Sequence, residues 1–317
     1  MSEKINIIAR RNGVGLDRDV DLLYDVLSDA GFEVTMSHCR GISPLRRLFP
    51  QKVKFDANLF VERIFPRWFG SARLNIVIPN QERFPRRHLP LLAKMDHVLA
   101  KTVHGHGIFS EHVPTTHLVR FTSPDLLDEE AKKNESLSCL HLAGRSTLKG
   151  TETILELWKK HPEWPLLTLI QCKENAPESV PANVILLTDY LSDEEIRRHL
   201  NVNLIHLCPS LSEGWGHYIV EAMSCGVVIV TTDGPPMNEL VTEERGVTVP
   251  HHKSEPRHLG TNFFVDPDAL EAKLEGLFSA SPESLKETGN AARNWFLTND
   301  EQFRKTLVQT MRQILSA

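Results

Sequence analysis

Ser212-Glu213-Gly214-Trp215-Gly216-His217-Tyr218-Ile219-Val220-Glu221-Ala222-Met223-Ser224-Cys225-Gly226 sets two glutamates on either side of a glycine-rich turn. Val202-Asn203-Leu204-Ile205-His206-Leu207-Cys208-Pro209 before it is an apolar run ended by proline and reads as a buried strand. Gly226 after it stops a short helix, and Val227-Val228-Ile229-Val230-Thr231-Thr232 is a second, β-branched strand. The unit is strand, glycine turn, one to two helical turns, strand.

Gly214 and Gly216 let backbone approach a ligand without an intervening side chain, and the free N–H groups opening the following helix favour an anion there. Glu213, ahead of the helix, can accept hydrogen bonds from ligand hydroxyls, and Glu221, inside it, can reach another part of the same ligand. A phosphate between two hydroxylated groups suits both, which is the layout of a nucleotide-sugar. Spacing alone is also compatible with a solvated loop glutamate and a helix-face glutamate. The strand before, the Gly-aromatic-Gly turn and the Glu-Ala-Met-Ser-Cys-Gly tail weigh against that plainer reading.

This run resembles the Glu-x7-Glu signature of the retaining glycosyltransferases of family four, the kind that serve bacterial glycan and lipopolysaccharide biosynthesis. The resemblance implies an α/β chain of the GT-B fold, two Rossmann-like doubly wound domains facing a central cleft. It implies transfer of a sugar, with retention, from a nucleoside-diphosphate sugar (UDP- or GDP-sugar) to an acceptor hydroxyl on a glycan, lipid or small molecule. No metal or other cofactor is expected, because cationic side chains take the metal's place. Arg145 and Lys149, in Gly144-Arg145-Ser146-Thr147-Leu148-Lys149-Gly150, resemble the family's Gly-Arg…Lys-Gly motif with one residue fewer between the basic pair. A fork and a point charge there suit a diphosphate leaving group. The expected catalytic residues are thus Arg145, Lys149 and Glu213. The expected donor contacts are Gly13 and Gly15 in the first strand-helix turn, Tyr190 and Leu191 where the family seats the base, Gly214, Trp215, Gly216, His217, and Glu221 toward the ribose. Glu62, Asn80, Glu82 and His106, at strand-end loops of the first domain, are the acceptor-side candidates; Pro79-Asn80-Gln81-Glu82 departs from the family, which often has a histidine near the sugar at such a strand end.

A length of 317 residues suits two domains of about 150 residues each. Residues 1–130 are expected to form the acceptor-binding domain, 131–300 the nucleotide-sugar-binding domain, and 301–317 a helix returning to the first. The polar run 124–137 reads as the interdomain linker. Strands are expected at 4–9, 32–36, 56–62, 74–79, 98–101, 137–143, 166–170 and 184–187. Helices are expected at 17–30, 91–97, from Thr151 as N-cap to 161, from a capping box at Ser192 to about 200, 266–278, 282–296 and 301–315, and His251 to Gly260 as a loop.

Hydrophobic residues at 41% and charged residues at 24% are those of an ordinary globular chain. No apolar run approaches the ~18 residues that span a bilayer and the first residues lack a signal-peptide core, so a cytoplasmic protein is expected. The five cysteines form no Cys-x2-Cys pair and read as buried thiols, and the fifteen histidines form no metal-ligand pattern. The net charge of −5 conceals an asymmetry: residues 1–120 hold 18 Lys+Arg against 12 Asp+Glu. Most of that positive charge lies in 40–87, interleaved with Phe49, Phe55, Phe65, Trp68, Phe69 and Phe84. A solvated basic face over core aromatics is the plain reading. Peripheral contact with anionic membrane is the functional one, and nucleic acid is not an expected partner. Competing functions are an epimerase or hydrolase of the same shape and a catalytically silent nucleotide-sugar-binding protein. An NAD-dependent enzyme fits poorly, because Gly13-Val14-Gly15 lacks the third glycine of a dinucleotide fingerprint.

Overall fold

The computed structural model describes residues 2–10, 15–41, 43, 52–134 and 136–317; Gly13, Arg46, Arg47 and Phe49 lie outside them. The chain forms two units, Met1–Ser123 with Arg257–Gly260 and Asn299–Ala317, and Pro124–Pro256 with Thr261–Thr298. The first holds β1 (Lys4–Ala9), α1 (Gly15–Asp29), β2 (Glu33–His38), β3 (Phe55–Glu62), β4 (Ala72–Pro79), α2 (Leu89–Leu92), β5 (His97–Ala100), α3 (Val103–Ser110) and β6 (Thr116–Leu118). Their order in the sheet is β2-β1-β3-β4-β5-β6, with every pair parallel. Parallel strands covered on both faces must be apolar on both, which is why Ile5, Ile7, Ile8, Leu59, Phe60 and Ile76 are all fully buried. The chain lays β2 on one side of β1 and then returns to lay β3 on the other, so the strand order reverses between β1 and β3.

The second unit repeats the plan with β7 (Ser138–Gly144), α4 (Thr151–Lys160), β8 (Leu166–Gln171), β9 (Val184–Leu187), α5 (Asp193–Val202), β10 (Ile205–Cys208), α6 (His217–Ser224), β11 (Val228–Thr232), α7 (Met237–Leu240) and β12 (Val247–Val249). The parallel order β12-β11-β10-β7-β8-β9 reverses between β7 and β10. After these come β13 (His251–Arg257), β14 (Gly260–Val265), α8 (Pro267–Phe278) and α9 (Pro282–Ser316). The core of this unit gathers Trp158, Trp164, Leu207, Val230 and Leu274, with Trp158 edge-on to Trp164 at 5.1 Å. Ser192 and Glu195 close the reciprocal capping box at the start of α5. No helix among the described residues is long and apolar enough to cross a membrane.

Several elements differ from expectation. The expected loop 251–260 is two paired strands, β13 and β14. β13 is exposed along nearly its whole length, so its sequence carries no apolar alternation to reveal it. The two expected C-terminal helices are one, α9, whose residues to 298 belong to the second unit and from 299 to the first. Thr298, Asn299 and Asp300 resemble a helix start, but Thr298 Oγ1 donates back to Asn294 O at 3.0 Å and Asn299 Nδ2 to Phe121 O at 2.7 Å. Thr298 thus back-bonds to the turn before it, as a residue inside a helix does, and the helix runs on. The expected helix 91–97 shrinks to α2, because Asp96 N–H pairs with Asn75 O and His97 joins the ladder to β4. The N-cap of α4 is Gly150, at φ 70°, and Thr151 is its first helical residue. The expected linker 124–137 is bound within the second unit as far as it is described: Asn201 Nδ2 donates to Leu126 O at 2.8 Å, and Asp125 pairs with Arg293 at 2.6 Å. The described aromatics of 52–87 belong to the first unit's core, Trp68 and Phe84 buried and Phe55, Phe65 and Phe69 packed against them.

His141 ties three elements of the second unit together. Its Nδ1–H donates to Leu207 O at 2.7 Å, so Nε2 accepts from the Thr151 hydroxyl at 2.9 Å. Burial lowers its pKa to about 4, and burial lowers that of His206 to about 3. Both are neutral when folded, whereas the unfolded chain protonates them near pH 6.5. Their contribution is therefore complete above that pH and is lost as pH falls toward 4 and then 3. The urea midpoint is expected to drop between pH 7 and pH 4.5, with His141 alone contributing on the order of 3 kcal/mol by pH 4. His141→Gln is expected to flatten that drop, and an unchanged pH profile in the variant contradicts the assignment.

Candidate active site

Ligands of doubly wound sheets bind beyond the carboxyl ends of the strands where the strand order reverses. In the second unit that place lies between the loops leaving β7 and β10. The first loop, Arg145 to Gly150, carries Lys149, and the second, Pro209 to Gly216, carries Glu213. The two loops are joined by the Leu211 N–H to Leu148 O bond at 2.9 Å. Gly150 makes that seating close: a Cβ there would lie 2.5 Å from Pro209 O.

Lys149 Nζ stands 2.5 Å from Glu213 Oε1, both side chains about 15% exposed (15% and 14%). The same oxygen accepts from Ser210 Oγ at 2.5 Å, and Ser210 Oγ lies 2.5 Å from the Tyr218 hydroxyl. The Lys149 ammonium also rests 3.5 Å from the centre of the Tyr218 ring. Tyr218 is buried, and burial, then the neighbouring Cys208 and Glu213, holds its hydroxyl far above the usual range. It therefore stays protonated as a hydrogen-bonding group at any working pH. An ammonium has three donors, so the Glu213 bond leaves Lys149 capacity for an incoming anion.

Gly216, at φ 105° and ψ 53°, is the N-cap of α6, with His217 its first residue. The first N–H groups of α6 thus open beside Glu213, whose Cγ is 3.7 Å from a Cβ position on Gly216. Glu221 is fully buried on the same helix. Gly214 is buried, and the Trp215 indole is only 4% exposed, so that ring is a core group and any contact it makes with a ligand falls to its backbone. Arg145 is exposed on the β7 loop, its carbonyl accepting from Asn175 Nδ2 at 3.0 Å. Tyr190 stands beyond β9 and is 92% exposed, and Leu191 beside it is half-buried. Lys149, Glu213 and the start of α6 therefore meet, while Arg145 opens the loop that carries Lys149 and Tyr190 follows β9, two strands from β7.

In the first unit Gly15 begins α1 and Gly13 lies outside the described residues. Glu62 ends β3 at φ 65° and pairs with Arg63 Nε at 3.1 Å. It lines a pocket of about 260 Å³ together with Arg10, Arg63, Phe65 and Arg83. Asn80 directly follows β4, and Glu82 is buried in the turn after it, 3.7 Å from Arg83 Nε. His106 is within α3, its N–H bonded to Thr102 O, and does not line that pocket. Ser210, Tyr218 and Arg10 escaped the sequence reading. A hydroxyl directly after an apolar strand and a cation directly after β1 were the signals available.

Residues 171–295 match the family model described as glycosyl transferases group 1. A search of curated proteins returned no match. Among solved structures, the sucrose-phosphate synthase of Thermosynechococcus elongatus is similar at 14% identity, with 99% of each chain covered and a TM-score of 0.75. A glycosyltransferase of Rickettsia africae is similar at 13% identity, with the same coverage and TM-score. HepE of Anabaena, in complex with UDP and glucose, is similar at 14% identity with 99% of each chain covered and a TM-score of 0.68. At these identities the likeness is one of fold, and two Rossmann-like units with parallel six-stranded sheets are the GT-B fold.

Proposed function

We propose that the chain transfers a sugar from a nucleoside-diphosphate sugar to an acceptor hydroxyl, with retention and without a metal. The observation that carries this reading is the Lys149–Glu213 pair beside the opening of α6, at the switch point of the second unit. Lys149, Arg145 and the helix N-terminus supply positive potential for the diphosphate as its bond to the anomeric carbon breaks. Glu213 receives sugar hydroxyls and Glu221 the ribose, with the base at Tyr190 and Leu191. Support comes from the family match, which spans Glu213 to Glu221, and from the fold shared with a structure holding UDP and glucose. Contact with anionic membrane, read from the basic segment 40–87, now rests on its cations, since the described aromatics lie in the core.

A thermal-shift series with UDP-, GDP-, ADP- and TDP-sugars tests donor binding. One donor is expected to raise the midpoint with a saturating dose dependence, because a ligand bound only to the folded state stabilises it by mass action. No shift with any of them contradicts the proposal. Binding with no turnover across an acceptor panel points instead to a silent binding protein, and conversion of the free donor to an epimerase or hydrolase.

A further inference from the structure

The first unit has its own switch point, between β1 and β3, and its pocket lies there. Arg10 follows β1, Glu62 ends β3 with Arg63 directly after it, and Arg83 lies in the turn after β4. Three of the lining side chains are guanidinium groups and one is a carboxylate. Glu62 uses Nε of Arg63 at 3.1 Å, and Glu82 lies 3.7 Å from Nε of Arg83. A guanidinium has five donors in a planar fork that matches phosphate oxygens in pairs, so each retains most of its capacity. The concentration of cations extends past the pocket: burial and then Arg257, Arg63, Arg87 and Arg83 lower the pKa of His258, and burial, Arg87 and Arg63 lower that of His88. Such an excess of like charge opposes folding by self-repulsion and is relieved by an anion. Glu62, a non-glycine residue held at φ 65°, is backbone strain of the kind that gathers at ligand sites. At about 260 Å³ the pocket falls just below the ~300–1,000 Å³ of ordinary small-molecule sites, which suits one phosphate and part of the group bearing it.

We propose that this pocket binds a phosphomonoester carried by the acceptor, held by Arg10, Arg63 and Arg83, so that the acceptor is an anionic molecule. The word acceptor rests on the transfer reading; the phosphate site does not. The phosphate can sit on a small sugar or on a lipid headgroup, and two probes separate the sources. Calorimetric titration of the full chain compares glucose 6-phosphate with glucose, and flotation uses phosphatidylcholine vesicles with and without phosphatidic acid. At least tenfold tighter binding of the phosphate-bearing probe in one of the two pairs is expected, with competition by inorganic phosphate. Arg10→Gln, Arg63→Gln and Arg83→Gln are each expected to weaken it about tenfold, as for a lost charged hydrogen bond. Repeating the titration in saturating UDP keeps the two readings apart. Unchanged affinity supports a site separate from the donor's, whereas displacement by UDP would mean the arginines serve the donor and overturns the proposal. Equal binding within both pairs, or three arginine variants that all bind as the unmutated chain does, also overturns it. A chain that binds glucose 6-phosphate but no nucleotide loses the transfer reading and keeps this site.

Discussion

Lys149→Ala is expected to lower the rate of sugar transfer by about 10²–10³-fold, the usual effect of removing one preorganised group that stabilises developing charge. The ammonium is held from two sides, by Glu213 at 2.5 Å and by the Tyr218 ring at 3.5 Å. In the proposed transfer it therefore would not have to reorganise as negative charge grows on the departing diphosphate. Most of the loss should fall on kcat, because the charge it meets is greatest in the transition state. Lys149→Arg should rescue little, since a planar fork cannot take the place of a compact charge between a carboxylate and a ring face. The double variant with Glu213→Ala should lose less than the sum of the two single effects, because the residues share one interaction. Melting curves for each variant separate this from unfolding, and full turnover in folded Lys149→Ala contradicts the assignment.

Gly150→Ala is expected to damage stability and activity together. The residue sits at φ 70°, and a Cβ would come within 2.5 Å of Pro209 O and 3.0 Å of Pro209 Cγ. Left-handed backbone and a clash with a neighbouring main chain sum to a cost on the order of 3 kcal/mol. The chain can relieve the clash only by moving the β7 loop away from the β10 loop, which carries Lys149 away from Glu213. Displacements of about 1 Å at a catalytic group cost up to 10²-fold in rate. Urea midpoints and steady-state kinetics on the same preparation check both effects. A variant with unchanged stability and rate contradicts the close seating of the two loops.

The sequence disclosed most where one local rule governs. Buried parallel strands are continuous apolar runs, so β1, β7, β10 and β11 could be read from composition, and the capping box at Ser192 marked α5 by local hydrogen bonding alone. It disclosed least where distant contacts decide. β13 is a strand because β14 pairs with it, and α9 runs unbroken through Thr298 and Asn299, where Thr298 Oγ1 bonds back to Asn294 O and Asn299 Nδ2 reaches the distant Phe121 O. The candidate site divides in the same way. Glu213, Gly216 and Glu221 share one stretch and were visible together. Lys149 meets Glu213 across 64 positions, which no local rule shows, whereas Ser210 and Tyr218 are close to Glu213 in sequence but carry no spacing signal of their own. The arginines of the first unit come from three different strand ends, which no spacing in the chain can show.

The central claim is nucleotide-sugar transfer with retention by the second unit's switch-point cluster. Proton NMR of the unmutated chain with the donor chosen by the thermal-shift series and a phosphate-bearing sugar acceptor tests it most directly. The predicted result is release of nucleoside diphosphate together with a new glycosidic anomeric signal whose coupling constant matches that of the donor, both lost in Lys149→Ala. A product with the inverted anomeric coupling, or one formed equally well by Lys149→Ala, would contradict it.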